Sequence, residues 1–151
     1  MELTNAFEVP VSDEEAFAVL LDVSRVLPCF PGAELVNVID AETFQCKVTI
    51  RLGPIALAFR GIAKIVESDP VVKHARITLR GSDEKGRGGA DAVVQFQLHG
   101  AGERTNVDLH TTINLTGMVA QYGRGSGIIQ GVASELTRQF AARLKDMLGS
   151  T

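Results

Sequence analysis

The stretch Gly117–Leu148, GMVAQYGRGSGIIQGVASELTRQFAARLKDML, decides how the rest of the chain is arranged. Stepped at 100° per residue, Met118, Tyr122, Gly125, Ile129, Val132, Leu136, Phe140 and Met147 fall within roughly 60° of one direction, with Leu144 at the edge. Gln121, Arg138, Arg143, Lys145 and Asp146 lie opposite. Such an amphipathic helix needs an apolar surface beneath it. Gly149 follows the last periodic residue as a stop signal.

The first half of this helix is rich in glycine. Gly123, Gly125, Gly127 and Gly131 each cost about 1 kcal/mol relative to alanine in a helix interior. Two readings are open: first turns that are partly unwound, or small residues that hold a cavity open beneath that half. In the second reading Gly125 faces inward, and Gly123, Gly127 and Gly131 stand on the outer side where another backbone could approach. Further along, Leu136, Phe140 and Leu144 have the bulk to plug the other end.

Upstream of the helix the hydrophobic period is two. Phe44, Cys46, Val48, Ile50 and Leu52 alternate with Gln45, Lys47, Thr49 and Arg51, the pattern of a half-buried strand. After the Gly53-Pro54 turn come Ile55, Leu57, Phe59, Gly61, Ala63 and Ile65 on one face. After Asp69-Pro70 come Ala75, Ile77 and Leu79. Ala92, Val94, Phe96 and Leu98 continue the inner face, then Val107, Leu109, Thr111, Ile113 and Leu115. Gly81–Gly89 reads as a polar hairpin loop. Small residues at inward positions, such as Gly61, Ala63, Ala75 and Ala92, suit a sheet that bends.

The N-terminal part supplies the remaining pieces. Glu2–Val9 alternates and ends at Pro10; Ser12-Asp-Glu-Glu15 is a capping box that starts a short helix ending near Asp22. A second short helical piece over Ser24–Leu27 stops at Pro28, and Cys29-Phe-Pro-Gly32 makes a rigid apolar turn. The order is strand, two short helices, six strands, long helix. The expected class is α+β: one domain over residues 1–151, a seven-stranded curved antiparallel sheet wrapped around and gripping the C-terminal helix, with a cavity between them.

Bulk properties narrow the function. With 151 residues, 45% hydrophobic and 22% charged, the chain can bury a core; its formal charge of −3 and lack of a basic run give no case for nucleic acid. No apolar run reaches the length of a membrane span, and the N-terminus lacks a signal-peptide pattern, so the expected location is cytoplasmic. Cys29 and Cys46 match no metal spacing or redox pair.

Sorting side chains by strand parity leaves an inward set that is aliphatic and aromatic, with Asn5, Cys46 and Thr111 as the polar exceptions. His74, His99 and His110 fall on outward faces or strand ends, too scattered for a metal. No nucleophile–base arrangement or inward carboxylate pair can be assembled, which points to binding rather than catalysis. Lys85-Gly-Arg-Gly-Gly89 lacks the strand-to-helix setting of a phosphate cradle. The candidate ligand-binding residues are Phe30, Phe59, Phe96, Tyr122, Gly125, Ile129 and Phe140. Arg124 joins them, read as a solvated side chain, as a polar gate at the cavity mouth, or as a contact for a ligand head group or a partner. No catalytic or metal-ligating residue is expected.

Cys29-Phe-Pro-Gly-Ala33, Gly53-Pro-Ile with Phe59-Arg-Gly61, and Ala120-Gln-Tyr-Gly-Arg-Gly125 followed by Leu136 and Gln139-Phe140 occur in an order and spacing that resemble the G-subunit family of carbon monoxide dehydrogenase. That family lies within the helix-grip group that includes START domains and the Bet v 1 allergens. The resemblance spans the whole chain. It implies an internal apolar cavity, association with a molybdenum-containing carbon monoxide dehydrogenase or related hydroxylase, and an accessory role connecting that enzyme with the membrane. The molybdenum, flavin and iron–sulfur centres belong to the other subunits, and no covalently bound cofactor is expected here. Many members continue past the long helix into a tail, some with a membrane-spanning end, whereas this sequence runs to Thr151; it is either a short member or a trimmed sequence, which leaves integral anchoring open.

Taken with the apolar inward face, the leading expectation is a carrier of an isoprenoid quinone, peripheral at the inner face of the cell membrane. A recruitment or assembly factor with an incidental cavity is the alternative; its surface candidates are Arg124, the Gly123/Gly127/Gly131 side and the Gly81–Gly89 loop. A small cyclase or hydrolase of the same broad fold is the third, and the inward side chains favour it least.

Overall fold

The computed structural model describes residues 1–122 and 127–149. Strand β1 (Glu2–Val9) leads into helices α1 (Asp13–Leu21) and α2 (Val23–Val26) and a 3₁₀ turn over Leu27–Cys29. Six strands follow: β2 (Ala33–Asp40), β3 (Thr43–Leu52), β4 (Ile55–Asp69), β5 (His74–Asp83), β6 (Gly89–Ala101) and β7 (Arg104–Leu115). Helices α3 (Met118–Tyr122) and α4 (Ile128–Gly149) close the chain.

The strands form one antiparallel sheet in the order β1-β7-β6-β5-β4-β3-β2. From β2 to β7 every neighbour is a sequential hairpin, as the short turn segments require. β1 pairs with the last strand, from Glu2 opposite Thr112 to Val9 opposite Thr105. The α1 capping serine acts as read: the Glu15 amide donates to Ser12 Oγ over 3.3 Å, and Asp13, Glu14 and Glu15 crowd the positive end of the helix.

The sheet bends where glycine lets two backbones meet. A Cβ on Gly61 would stand 1.8 Å from the carbonyl oxygen of Arg80 on β5, so no side chain fits there. Register irregularities between Ile65 and Glu67 in β4, and twice in β2, add to the coil. Edge strand β2 exposes Val36, Val38 and Ile39; Val36 and Ile39 fall at its two register shifts, while Val38 stands opposite Phe44.

Three expectations need correction. The stretch Gly117–Leu148 is not one helix: α3 ends at Tyr122 and α4 begins at Ile128, and Gly127 before it has φ +70°, outside the helical region. With α3 free of the α4 phase, Met118 is 53% exposed and Val119 takes the buried place. Gly131 alone of the four helix glycines lies within α4, with open space where its side chain would be; Gly123 and Gly125 lie outside the described residues. The Gly81–Gly89 loop is shorter than read, because β5 runs on to Asp83 and β6 starts at Gly89.

Two apolar clusters fill the grip. The larger packs Val9, Leu20, Ala75, Phe96, Val107 and Leu144 with α1 and α2; the smaller gathers Leu52, Leu57, Phe59 and Val119 at the other end of the sheet. Leu144 and Leu148 seal the larger cluster from α4, which packs on β1, the 3₁₀ turn and β3.

Candidate functional site: an apolar cavity beneath the last helix

Between the two clusters the inner face of the sheet and the underside of α4 stand apart, leaving a cavity of about 340 Å³. Its sheet wall comes from the alternating strands: Cys46 and Val48 on β3, Leu57 and Phe59 on β4, Ala90 and Ala92 on β6. Cys46, Gly61, Gly81 and Ala90 lie in one row across β3 to β6. That row has almost no side-chain height, and the space above it is the cavity. The helix wall comes from Ile129, Val132, Ala133, Leu136, Thr137 and Phe140.

Of the candidate residues, Phe30, Phe59, Phe96, Ile129 and Phe140 line this cavity. Phe30 and Phe140 meet with ring centroids 6.5 Å apart, and Phe7 meets Phe140 edge-on at 6.5 Å, so the three rings stopper one side between β1, α4 and the 3₁₀ turn. Tyr122 is not itself in the wall: it packs half-buried against Leu52, Leu57, Phe59 and Val119, which are. Arg124 and Gly125 fall outside the described residues. Ala133 and Thr137 were missed; Ala133 is only about 40° from Ile129 on the helix, within reach of the periodicity.

The most strongly held charges lie at the end of the cavity near α3. Asp83 has no exposed side-chain surface. It accepts from Arg87 Nε at 2.6 Å and from the Ala58 amide at 3.2 Å. The Arg87 hydrogen bonds come first in holding the Asp83 carboxyl well below the usual carboxylate range, the backbone amides adding to them against the opposing effect of burial. Arg87 also donates to the Ala56 carbonyl at 2.8 Å, while its own carbonyl accepts from the Val119 amide at 2.9 Å. The pair therefore ties the β5–β6 hairpin to β4 and to α3. Of the two cations in Lys85-Gly-Arg-Gly-Gly89, the arginine is thus committed to a structural tie, which weakens the phosphate-cradle reading further. The sequence signal was Asp83 four residues before Arg87, obscured by treating both as loop.

Among the described residues no group of three His, Cys, Asp or Glu side chains could hold a metal, and no helix is long and apolar enough to cross a membrane. Both cysteines are free and buried, and burial pushes both thiols up, so they stay protonated. The chemistry on offer is a half-open, largely hydrocarbon surface.

A coiled antiparallel sheet gripping a C-terminal helix over an apolar cavity defines a START/Bet v 1-like helix-grip protein. The chain matches CoxG, the G-subunit family of carbon monoxide dehydrogenase, over residues 6–149, and it belongs to that family. A conserved protein from Geobacillus kaustophilus superposes with a TM-score of 0.85 at 19% identity, covering 99% of this chain and 96% of that one. The ZhuI aromatase/cyclase from Streptomyces sp. R1128 gives 0.70 at 10% identity, covering 99% and 93%. A START superfamily protein from Mycobacterium smegmatis gives 0.65 at 11% identity, covering 99% and 97%. At such identities these likenesses establish the fold alone. No curated protein sequence matches the chain significantly.

Proposed function

We propose that this chain is an accessory protein of a molybdenum-type carbon monoxide dehydrogenase that carries an isoprenoid quinone in its cavity. It thereby links the enzyme to the electron-transport chain at the inner face of the cell membrane. The observation that carries this reading is the cavity wall, built almost wholly from aliphatic and aromatic side chains, in a chain whose family takes its name from the dehydrogenase. Each 100 Å² of apolar ligand surface withdrawn from water contributes roughly 2.5 kcal/mol. Relative to a bilayer interior the exchange is close to even, which suits pick-up and release. At about 340 Å³ the cavity is near the small end of the range for small-molecule sites, so it holds a ring and a short run of prenyl chain, and a longer tail runs outside.

The test is native mass spectrometry with lipid extraction of protein purified from a quinone-containing host. A co-purifying quinone supports the carrier reading; protein that carries none and takes up none when offered sinks it. The second reading, recruitment of the dehydrogenase without ligand carriage, draws support from the exposed Val36, Val38 and Ile39 on edge strand β2. Capture of the dehydrogenase by a variant whose cavity has been filled, with no quinone detectable, would favour it.

A further inference from the structure

A cavity walled only by hydrocarbon would hold any apolar molecule of the right size in any orientation. The polar groups in the wall therefore decide what it prefers. Cys46, Thr111 and Thr137 are the wall residues with an uncharged polar side-chain atom, and Arg80 is spoken for outside, its side chain 82% exposed beside Asp91. Thr137 Oγ1 donates to the Ala133 carbonyl at 2.8 Å, one turn back on α4, so its proton is committed. The Cys46 thiol is a weak donor.

Thr111 is different. It sits mid-strand on β7, facing Leu3 of β1 on one side and Val94 of β6 on the other, neither of which has a side chain to pair with a hydroxyl. Its hydroxyl has no hydrogen-bond partner among the described residues and is not among the sealed, unpaired polar atoms, and the residue lines the cavity. Valine has the same shape, favours a strand at least as well and would leave no polar group to desolvate in this wall. An occupant that fills the cavity desolvates this hydroxyl, so a ligand with a complementary atom is favoured over a plain hydrocarbon.

We propose that Thr111 is the specificity-determining residue of the cavity, contributing its hydroxyl to an oxygen on the ring of the bound ligand. The inference rests on the carrier reading and deepens it. The hydroxyl can donate to a quinone carbonyl, and by rotating it can accept from the hydroxyl of the corresponding quinol. One side chain thus holds both redox forms, as a carrier that collects one and delivers the other requires. The ring is anchored on β7 in the row of Leu3, Thr111, Val94 and Ile77, four residues along the strand from Leu115, which continues the low row of Gly61, Gly81 and Ala90.

The test compares Thr111→Val and Thr111→Ser with the unaltered protein, titrating oxidised decylubiquinone, its quinol and decylbenzene, a hydrocarbon of similar shape. Thr111→Val is expected to weaken both decylubiquinone forms roughly three- to tenfold while leaving decylbenzene within about twofold; Thr111→Ser retains the preference. An unchanged melting temperature in Thr111→Val shows that the loss is not one of folding. If Thr111→Val binds decylubiquinone like the unaltered protein, the role of Thr111 is overturned and the carrier reading stands. If the unaltered protein binds neither decylubiquinone form, the carrier reading falls and this inference with it.

Discussion

The two ends of the grip are built from the same strands, yet one is solid and the other hollow. At the solid end Ala75, Val107 and Leu144 are completely buried and Val9 and Ala16 nearly so, and none of the five lines the cavity. At the hollow end only Leu52, Leu57, Phe59 and Val119 form a closed cluster, while Ile50, Ile55, Leu115, Ile129 and Val132 pack half-buried around it. The difference lies in what faces each strand. Towards the solid end α4 offers Leu144 and Leu148, with α1 and α2 adding a further layer. Towards the hollow end the sheet offers Gly61, Gly81, Ala90 and Ala92, and α4 offers Ala133. Close packing is thus supplied where stability is needed and withheld where space is needed.

The comparison can be broken most severely at the bend. Gly61→Val places a Cβ against the Arg80 carbonyl, where backbone must move, and should lower the melting temperature by more than roughly 15 °C or abolish cooperative folding. A thermal melt decides it.

Next is the charged tie at the hollow end. Asp83→Asn leaves Arg87 without its counter-charge and should lower the melting temperature by roughly 10 °C at neutral pH. The sign with pH is definite. The folded-state pKa of Asp83 is depressed, so its contribution is complete above the unfolded carboxylate range and drains away as pH falls below about 4. The gap between the two proteins should therefore narrow in acid, measurable by denaturant titration at a series of pH values. A gap that stays constant would refute the linkage.

Leu144→Ala tests the solid end and should cost about 3 kcal/mol in denaturant unfolding, because a wholly buried leucine leaves a void its neighbours cannot fill. Uptake of decylubiquinone should be unaltered, since Leu144 is not part of the cavity wall. Ala133→Leu is the reverse experiment and the smallest in stability, within about 1 kcal/mol of the unaltered protein, because the added carbons enter existing space. Yet it should largely abolish ligand uptake. Normal uptake by this variant would show that the ligand sits elsewhere.

Much of the fold was legible because it rests on short-range patterns. Strand parity placed Leu57, Phe59, Ala63 and Ile65 on the inner face of β4, where all four are buried. The serine cap of α1 and the turns at Gly53 and Asp69 depend on residues within a few positions of each other, and each was found at its place. The candidate site was legible in part: five aromatic or aliphatic residues proposed for it line the cavity, while Tyr122 sides with the adjoining cluster. Tyr122 went astray because a single helical phase was extended across Gly127, beyond which α3 has its own direction.

By itself the sequence determined the class of fold, the facing of each strand and the apolar character of the interior, since these follow from periodicity and from which side chains exist at all. Only the tertiary structure decided where the interior is empty. A cavity is the volume that side chains on non-adjacent strands and a distant helix fail to fill together, and no local pattern sums those volumes. The same is true of Thr111 and Asp83. Their hydroxyl and carboxyl are visible in the chain, but whether each is left free or tied depends on neighbours that only folding brings within reach.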